Sequence, residues 1–263
     1  MSLVSFMGMV GTGKSFIINH LLPPTAPGPW IAPPEEHVTY PGMLIFHGES
    51  NAGEARCYME LEGMLSNYKI VSDADSNNLT TCPIVDINRA FFNSDVYPQI
   101  AYLTSTVMCF VINEQMQLVP SNLAYFLNIA QRAILKTEVD IKPALFFVYT
   151  KQYTQRPVCG PEILNSPVMT AALKYYSKVE FFAVSDATAH PDIHLKQVAE
   201  LRNRINAQCR ELMDARRVIS PDLISSGCIA RRLADLIDNS ERTEETTDLF
   251  LAVTNGNHVQ YKE

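Results

Sequence analysis

The most specific chemistry in this chain of 263 residues sits in one short run. Gly8-Met9-Val10-Gly11-Thr12-Gly13-Lys14-Ser15 fits G-x-x-x-x-G-K-[ST] in full. Phosphate binding needs these residue types at this spacing. Glycines let backbone N–H groups turn inward, and the N-terminus of a following helix adds partial positive charge. Lys14 can reach a β- or γ-phosphate, and the Ser15 hydroxyl can ligate Mg²⁺. The candidate nucleotide-binding set here is Gly8, Gly11, Thr12, Gly13, Lys14, Ser15 and Phe16. At average composition, a chance match in a chain this long is on the order of 1 in 100. The bland alternative is a glycine-rich turn that only caps a helix.

Such a loop works between a strand and a helix, and the flanking sequence predicts both. Leu3 to Met7 is a short apolar run of buried-strand type, and Ser15 to Leu22 continues as a helix stopped by Pro23-Pro24. Six of the 16 prolines lie between Pro23 and Pro34, which predicts a stiff surface loop. Met43 to His47 and Arg56 to Glu60 are strand candidates separated by Gly48 to Gly53. Leu65 to Asp95 is polar and reads as a long insertion, with a strand at Pro83 to Ile87. Alternation follows: helix Tyr97 to Ser105, strand Val107 to Ile112, helix Ser121 to Leu135, strand Ala144 to Tyr149, helix Ile163 to Tyr176, strand Val179 to Val184. Leu195, Val198, Ile205, Cys209 and Leu212 recur at helical spacing and mark a covering helix to Arg216. A last helix is expected over Ile229 to Asn239. Strands alternating with helices imply a mostly parallel sheet covered on both faces. The expected fold is therefore a three-layer α/β P-loop domain over residues 1–240, with an insertion near 65–95 and a polar tail at 241–263.

Composition narrows the function. A 47% hydrophobic content supports a sizeable core and excludes collagen-like or largely disordered chains. A net charge of −7 repels phosphate backbones, so direct nucleic-acid binding is not expected. No apolar run, Val107 to Ile112 included, approaches the roughly 18 residues of a membrane span. The N-terminal apolar stretch has no basic region before it and runs into the glycine loop, unlike a signal peptide. Six cysteines without a C-x-x-C pair argue against a zinc site or a disulfide framework. The expectation is a cytoplasmic protein with reduced thiols.

A phosphate loop followed by a helix, a long loop and the strand Arg56 to Glu60 resembles the G domain of small and dynamin-like GTPases, which implies GTP or GDP with Mg²⁺ as cofactors. Two families within that group are similar to this chain. Met59-Glu60-Leu61-Glu62-Gly63 looks like the D-x-E-G element of guanylate-binding and atlastin-like proteins, with Glu60 at the aspartate. The long insertion after this strand resembles the SMG-nine type, the G-domain subunit of the nonsense-mediated mRNA decay kinase complex. Tyr97-Pro98-Gln99-Ile100-Ala101-Tyr102 and Leu123 to Ala130 are similar to the helices flanking the next strand there, and Leu145 to Lys151 to its strand ending in N-K. The SMG-nine resemblance implies a regulatory or scaffold subunit with a G-domain partner. The guanylate-binding resemblance implies a GTPase that dimerises on nucleotide.

The resemblance also shows what is missing. G domains read guanine through an aspartate that accepts two hydrogen bonds from the base. Thr150-Lys151-Gln152-Tyr153 is the corresponding segment, with Tyr153 at the aspartate. Thr150 and Lys151 remain as candidates to pack against a base. Gly11 stands where guanylate-binding proteins carry an arginine finger, a group whose loss removes about 10³ to 10⁵ in rate. Met64 stands where small GTPases hold the water-orienting glutamine. The candidate metal set is Ser15, Thr39 as the switch threonine, and Glu60 acting through water with an extra methylene of reach. Nucleotide binding with weak or absent hydrolysis is the expectation. His190 and His194 are four apart, but Pro191 between them argues for a surface turn rather than a shared helix face.

Overall fold

In the computed structural model, residues 2–9, 11–29, 43–48, 56–61, 96–113, 120–136, 142–152 and 165–219 are described. The strands are β1 (Ser2–Gly8), β2 (Met43–Gly48), β3 (Arg56–Leu61), β4 (Val107–Asn113), β5 (Ala144–Gln152) and β6 (Lys178–Ser185). The helices are α1 (Lys14–Leu21), α2 (Tyr97–Thr104), α3 (Pro120–Lys136), α4 (Pro167–Ala172) and α5 (Pro191–Ile219).

Among the described residues, one six-stranded sheet has the order β2-β3-β1-β4-β5-β6. Every neighbouring pair is parallel except β2 and β3, which run antiparallel with Gly48 opposite Arg56. The near-continuous apolar runs of β1, β4 and β5 have a direct cause: strands covered on both faces need apolar residues at both phases of the pleat. Leu3, Met7, Met108, Phe110, Leu145 and Phe147 pack on one face with α2, α3 and α4. Val4, Phe6, Cys109, Val111, Phe146 and Val148 pack on the other with α1 and α5. The three-layer α/β architecture and mostly parallel sheet expected from the alternation are present.

Two elements differ from the expectation. The helix expected over Ile163 to Tyr176 is regular only at Pro167–Ala172; Ser166 caps it by accepting from the Met169 N–H at 3.1 Å, and turns follow to Tyr176. Residues 163 and 164 lie outside the described residues. Pro191 does not make a free surface turn but opens α5, where a first helical residue needs no N–H partner. The His194 N–H then donates to His190 O at 2.9 Å. His190 is exposed, whereas His194 is buried. The 65–95 insertion, the Pro83 to Ile87 strand, the Ile229 to Asn239 helix and the 241–263 tail lie outside the described residues.

Candidate functional site

The parallel strands β1, β3 and β5 bring their carboxyl ends to one edge of the sheet, the edge at which open α/β folds place ligands. β1 ends at Gly8, and Gly13 caps α1 in the left-handed conformation at φ 93°. A Cβ on Gly8 would stand 2.3 Å from Val111 O of β4, so only glycine lets the loop leave the sheet there. Thr12 is buried and donates its hydroxyl to Met9 O at 2.8 Å, which closes the loop on itself.

Lys14 begins α1 and is 4% exposed. Its ammonium donates to Gly8 O at 3.2 Å and to Met9 O at 3.0 Å, so it curls over its own loop. Ser15 follows on the first turn and donates its hydroxyl to Glu60 Oε1 at 2.6 Å. Glu60 lies near the end of β3, paired in register with Phe6 of β1. Its second oxygen, Oε2, is buried and has no hydrogen-bond partner among the described residues. Burial pushes the Glu60 carboxyl above the usual carboxylate range; the Ser15 hydrogen bond and the nearby Lys14 ammonium oppose that shift.

The structure brings Gly8, Gly11, Thr12, Gly13, Lys14, Ser15 and Glu60 together. Thr150 joins them from β5 in a way the sequence did not suggest. It is 4% exposed, and its hydroxyl lies 2.6 Å from Thr12 O and 3.3 Å from Ile112 O. Its methyl lies near the place a Gly13 Cβ would take. Thr150 thus braces the phosphate loop from β5, two strands over from β1. The Lys151 backbone continues β5. Thr39, Met64 and Tyr153 lie outside the described residues.

Phe16 turns from the loop toward α5. Its ring lies 4.2 Å from that of His20 and 5.3 Å from that of His194, centroid to centroid. His194 Nδ1 lies 2.8 Å from Ser185 O at the end of β6. Since a carbonyl only accepts, Nδ1 carries the proton. This aromatic group ties α1 to the end of β6, and no local sequence signal announced it.

Ser15 and Glu60 offer hard oxygen donors. Mg²⁺ is typically held by one or two carboxylates together with phosphate oxygens and water, so these residues fit that ion. Among the described residues, no group of three or more His, Cys, Asp or Glu could hold a metal. No helix among them is long and apolar enough to cross a membrane.

No protein-family model and no curated protein matches the chain. Solved structures similar to it include the Arl6 BBS3 small GTPase from Trypanosoma brucei with a bound nucleotide analogue, at 14% identity and TM-score 0.40, covering 77% of this chain and 98% of that one. Another is GDP-bound IFT22 of T. brucei, at 10% identity and TM-score 0.41, covering 82% and 97%. A third is Era of Aquifex aeolicus bound to GDP and aluminium fluoride, at 15% identity and TM-score 0.44, covering 80% and 57%.

Proposed function

We propose that this chain binds a nucleoside di- or triphosphate at the loop Gly8 to Ser15, and that the ligand is GTP or GDP. One observation carries the binding: a complete phosphate-loop sequence folded between β1 and α1, with Lys14 and Ser15 on the first turn of the helix. The backbone N–H groups of the loop and the helix N-terminus would face the phosphates. Lys14 would exchange its loop carbonyls for phosphate oxygens. Ser15 and Glu60, with Thr39, would hold Mg²⁺, which supplies neutralisation of phosphate charge when bound. The guanine assignment and the role in a larger assembly rest on the sequence resemblance. By that resemblance the protein is a regulatory or scaffold subunit of the SMG-nine type with weak or absent hydrolysis, engaging a partner with a related G domain or a second copy of itself. Gly11 in place of an arginine finger supports slow turnover.

The test begins with denaturing the purified protein and identifying any released nucleotide by ion-exchange chromatography. Thermal shifts with GDP, GTP, ADP and ATP plus Mg²⁺ follow. The expected outcome is a guanine-specific rise in Tm that grows with ligand concentration; at 100 Kd linkage gives about 2.7 kcal/mol. Lys14→Ala should remove most of that rise while leaving the unliganded Tm within a few degrees. Empty protein that no nucleotide shifts overturns the reading. GTP hydrolysis at several turnovers per minute, lost in Lys14→Ala, would instead support the guanylate-binding type.

A further inference from the structure

His194 does more than fill space between α1 and α5. It is 2% exposed, and its Nδ1–H donates to Ser185 O at 2.8 Å. One turn further along α5, Gln197 Oε1 accepts from the Ser185 N–H at 2.7 Å. Both main-chain polar groups of Ser185 are thus taken by side chains of α5. Ser185 is the last residue of β6, paired with Gln152 across a register shift in β5. The chain turns there: Asp186 Oδ1 accepts from the Thr188 N–H at 2.8 Å and from the Ala189 N–H at 3.1 Å. The same imidazole packs against Phe16, the residue after Ser15, and edge-on against His20 with the centroids 5.1 Å apart. Its Nε2 is buried and has no hydrogen-bond partner among the described residues. An apolar ring would serve packing alone better, because a buried polar atom left unpaired costs free energy. What the imidazole adds is the donor to Ser185.

We propose that His194, together with Gln197, is a positioning residue for the nucleoside half of the ligand. This rests on the nucleotide-binding reading above, in which the metal and the terminal phosphates stand with Ser15 and Glu60 on the β3 side of β1. On the opposite side lie β4, β5 and β6, whose carboxyl ends lead from the loop past Thr150 to Ser185. The nucleoside would extend along that edge, against the turn at Ser185 and Asp186. One side chain then fixes this wall relative to the helix that presents the phosphate loop, and so sets the span between phosphate and base.

The probes are GDP and inorganic pyrophosphate with Mg²⁺, the second competing against the first in titration calorimetry. Thermal melts check that each variant folds. His194→Phe keeps a ring beside Phe16 and His20 and removes the donor. It should weaken GDP about tenfold, the loss expected of one misplaced buried hydrogen-bond partner, while leaving pyrophosphate within about twofold. His194→Asn, whose amide N–H takes the place of Nδ1–H, should restore GDP to within about threefold of the wild type. Gln197→Met removes the acceptor for the Ser185 N–H and should act like His194→Phe; it decides the test where His194→Phe does not fold. Equal losses for the two ligands, or no loss for GDP, overturn the positioning role while leaving nucleotide binding intact. Failure of GDP to bind the wild type, or of pyrophosphate to displace it, overturns both.

Discussion

At the scale of single residues, Glu60 is the acid that desolvation disturbs, against the opposing Ser15 hydrogen bond and Lys14 ammonium. Its carboxyl is raised by burial. A carboxyl raised in the folded state contributes stability when protonated, and loses that contribution as pH rises through the raised value. In EDTA, Glu60→Gln should therefore be more stable than the wild type at pH 8, by on the order of 1 kcal/mol, or about 2–4 °C in Tm for a chain of this size. The difference should close as pH falls toward the carboxyl range. A gap that stays constant between pH 8 and pH 5 would show that burial of the charge is not its source. The motif made Gly8, Lys14 and Ser15 legible because each is demanded by local chemistry at fixed spacing. The buried partnership of Glu60 with Ser15 was only half legible: the resemblance named the position, but the direct contact depends on β3 lying beside β1. His194 was misjudged because Pro191 signals a break and a helix start equally well.

At the scale of elements, the phosphate loop is held by strands on either side of β1. Thr150→Val keeps the shape of the side chain and removes its hydroxyl. It should cost about 1–3 kcal/mol through the lost donor to Thr12 O and weaken nucleotide binding, measured by melts and by GDP titration. An unchanged GDP affinity would show that the brace does not set the loop. Gly8→Ala should be more severe, since its Cβ meets the Val111 carbonyl and the backbone there has φ 149°. A loss exceeding about 3 kcal/mol, or no folded protein, is expected. Strands β1, β4 and β5 were legible as apolar runs, and α5 as a helical period. The bracing role of Thr150 was not, because its acceptor is 138 residues away in sequence and no local pattern encodes that pairing.

At the scale of the whole molecule, two cores lie back to back across one sheet. Phe126 belongs to one and Ile205 to the other. Phe126→Ala should cost about 3–5 kcal/mol and Ile205→Ala about 2–5 kcal/mol. Because the sheet separates them, the two losses should add within about 0.5 kcal/mol in the double variant, judged by denaturant melts. A larger deviation would mean that the sheet transmits repacking between its faces. The alternation of elements made this layered plan legible, whereas the strand order was not, since neighbours in the sheet are far apart in the chain. That order also governs how the protein is made. β1 leaves the ribosome before the other described strands but occupies an inner place in the sheet, between β3 and β4. It must wait for residues 56–61 on one side and 107–113 on the other, roughly 5–20 s at ordinary translation rates. For that interval its apolar strand is exposed and unpaired, so the stretch of synthesis between β1 and β4 is the stage at which a chaperone has most to protect.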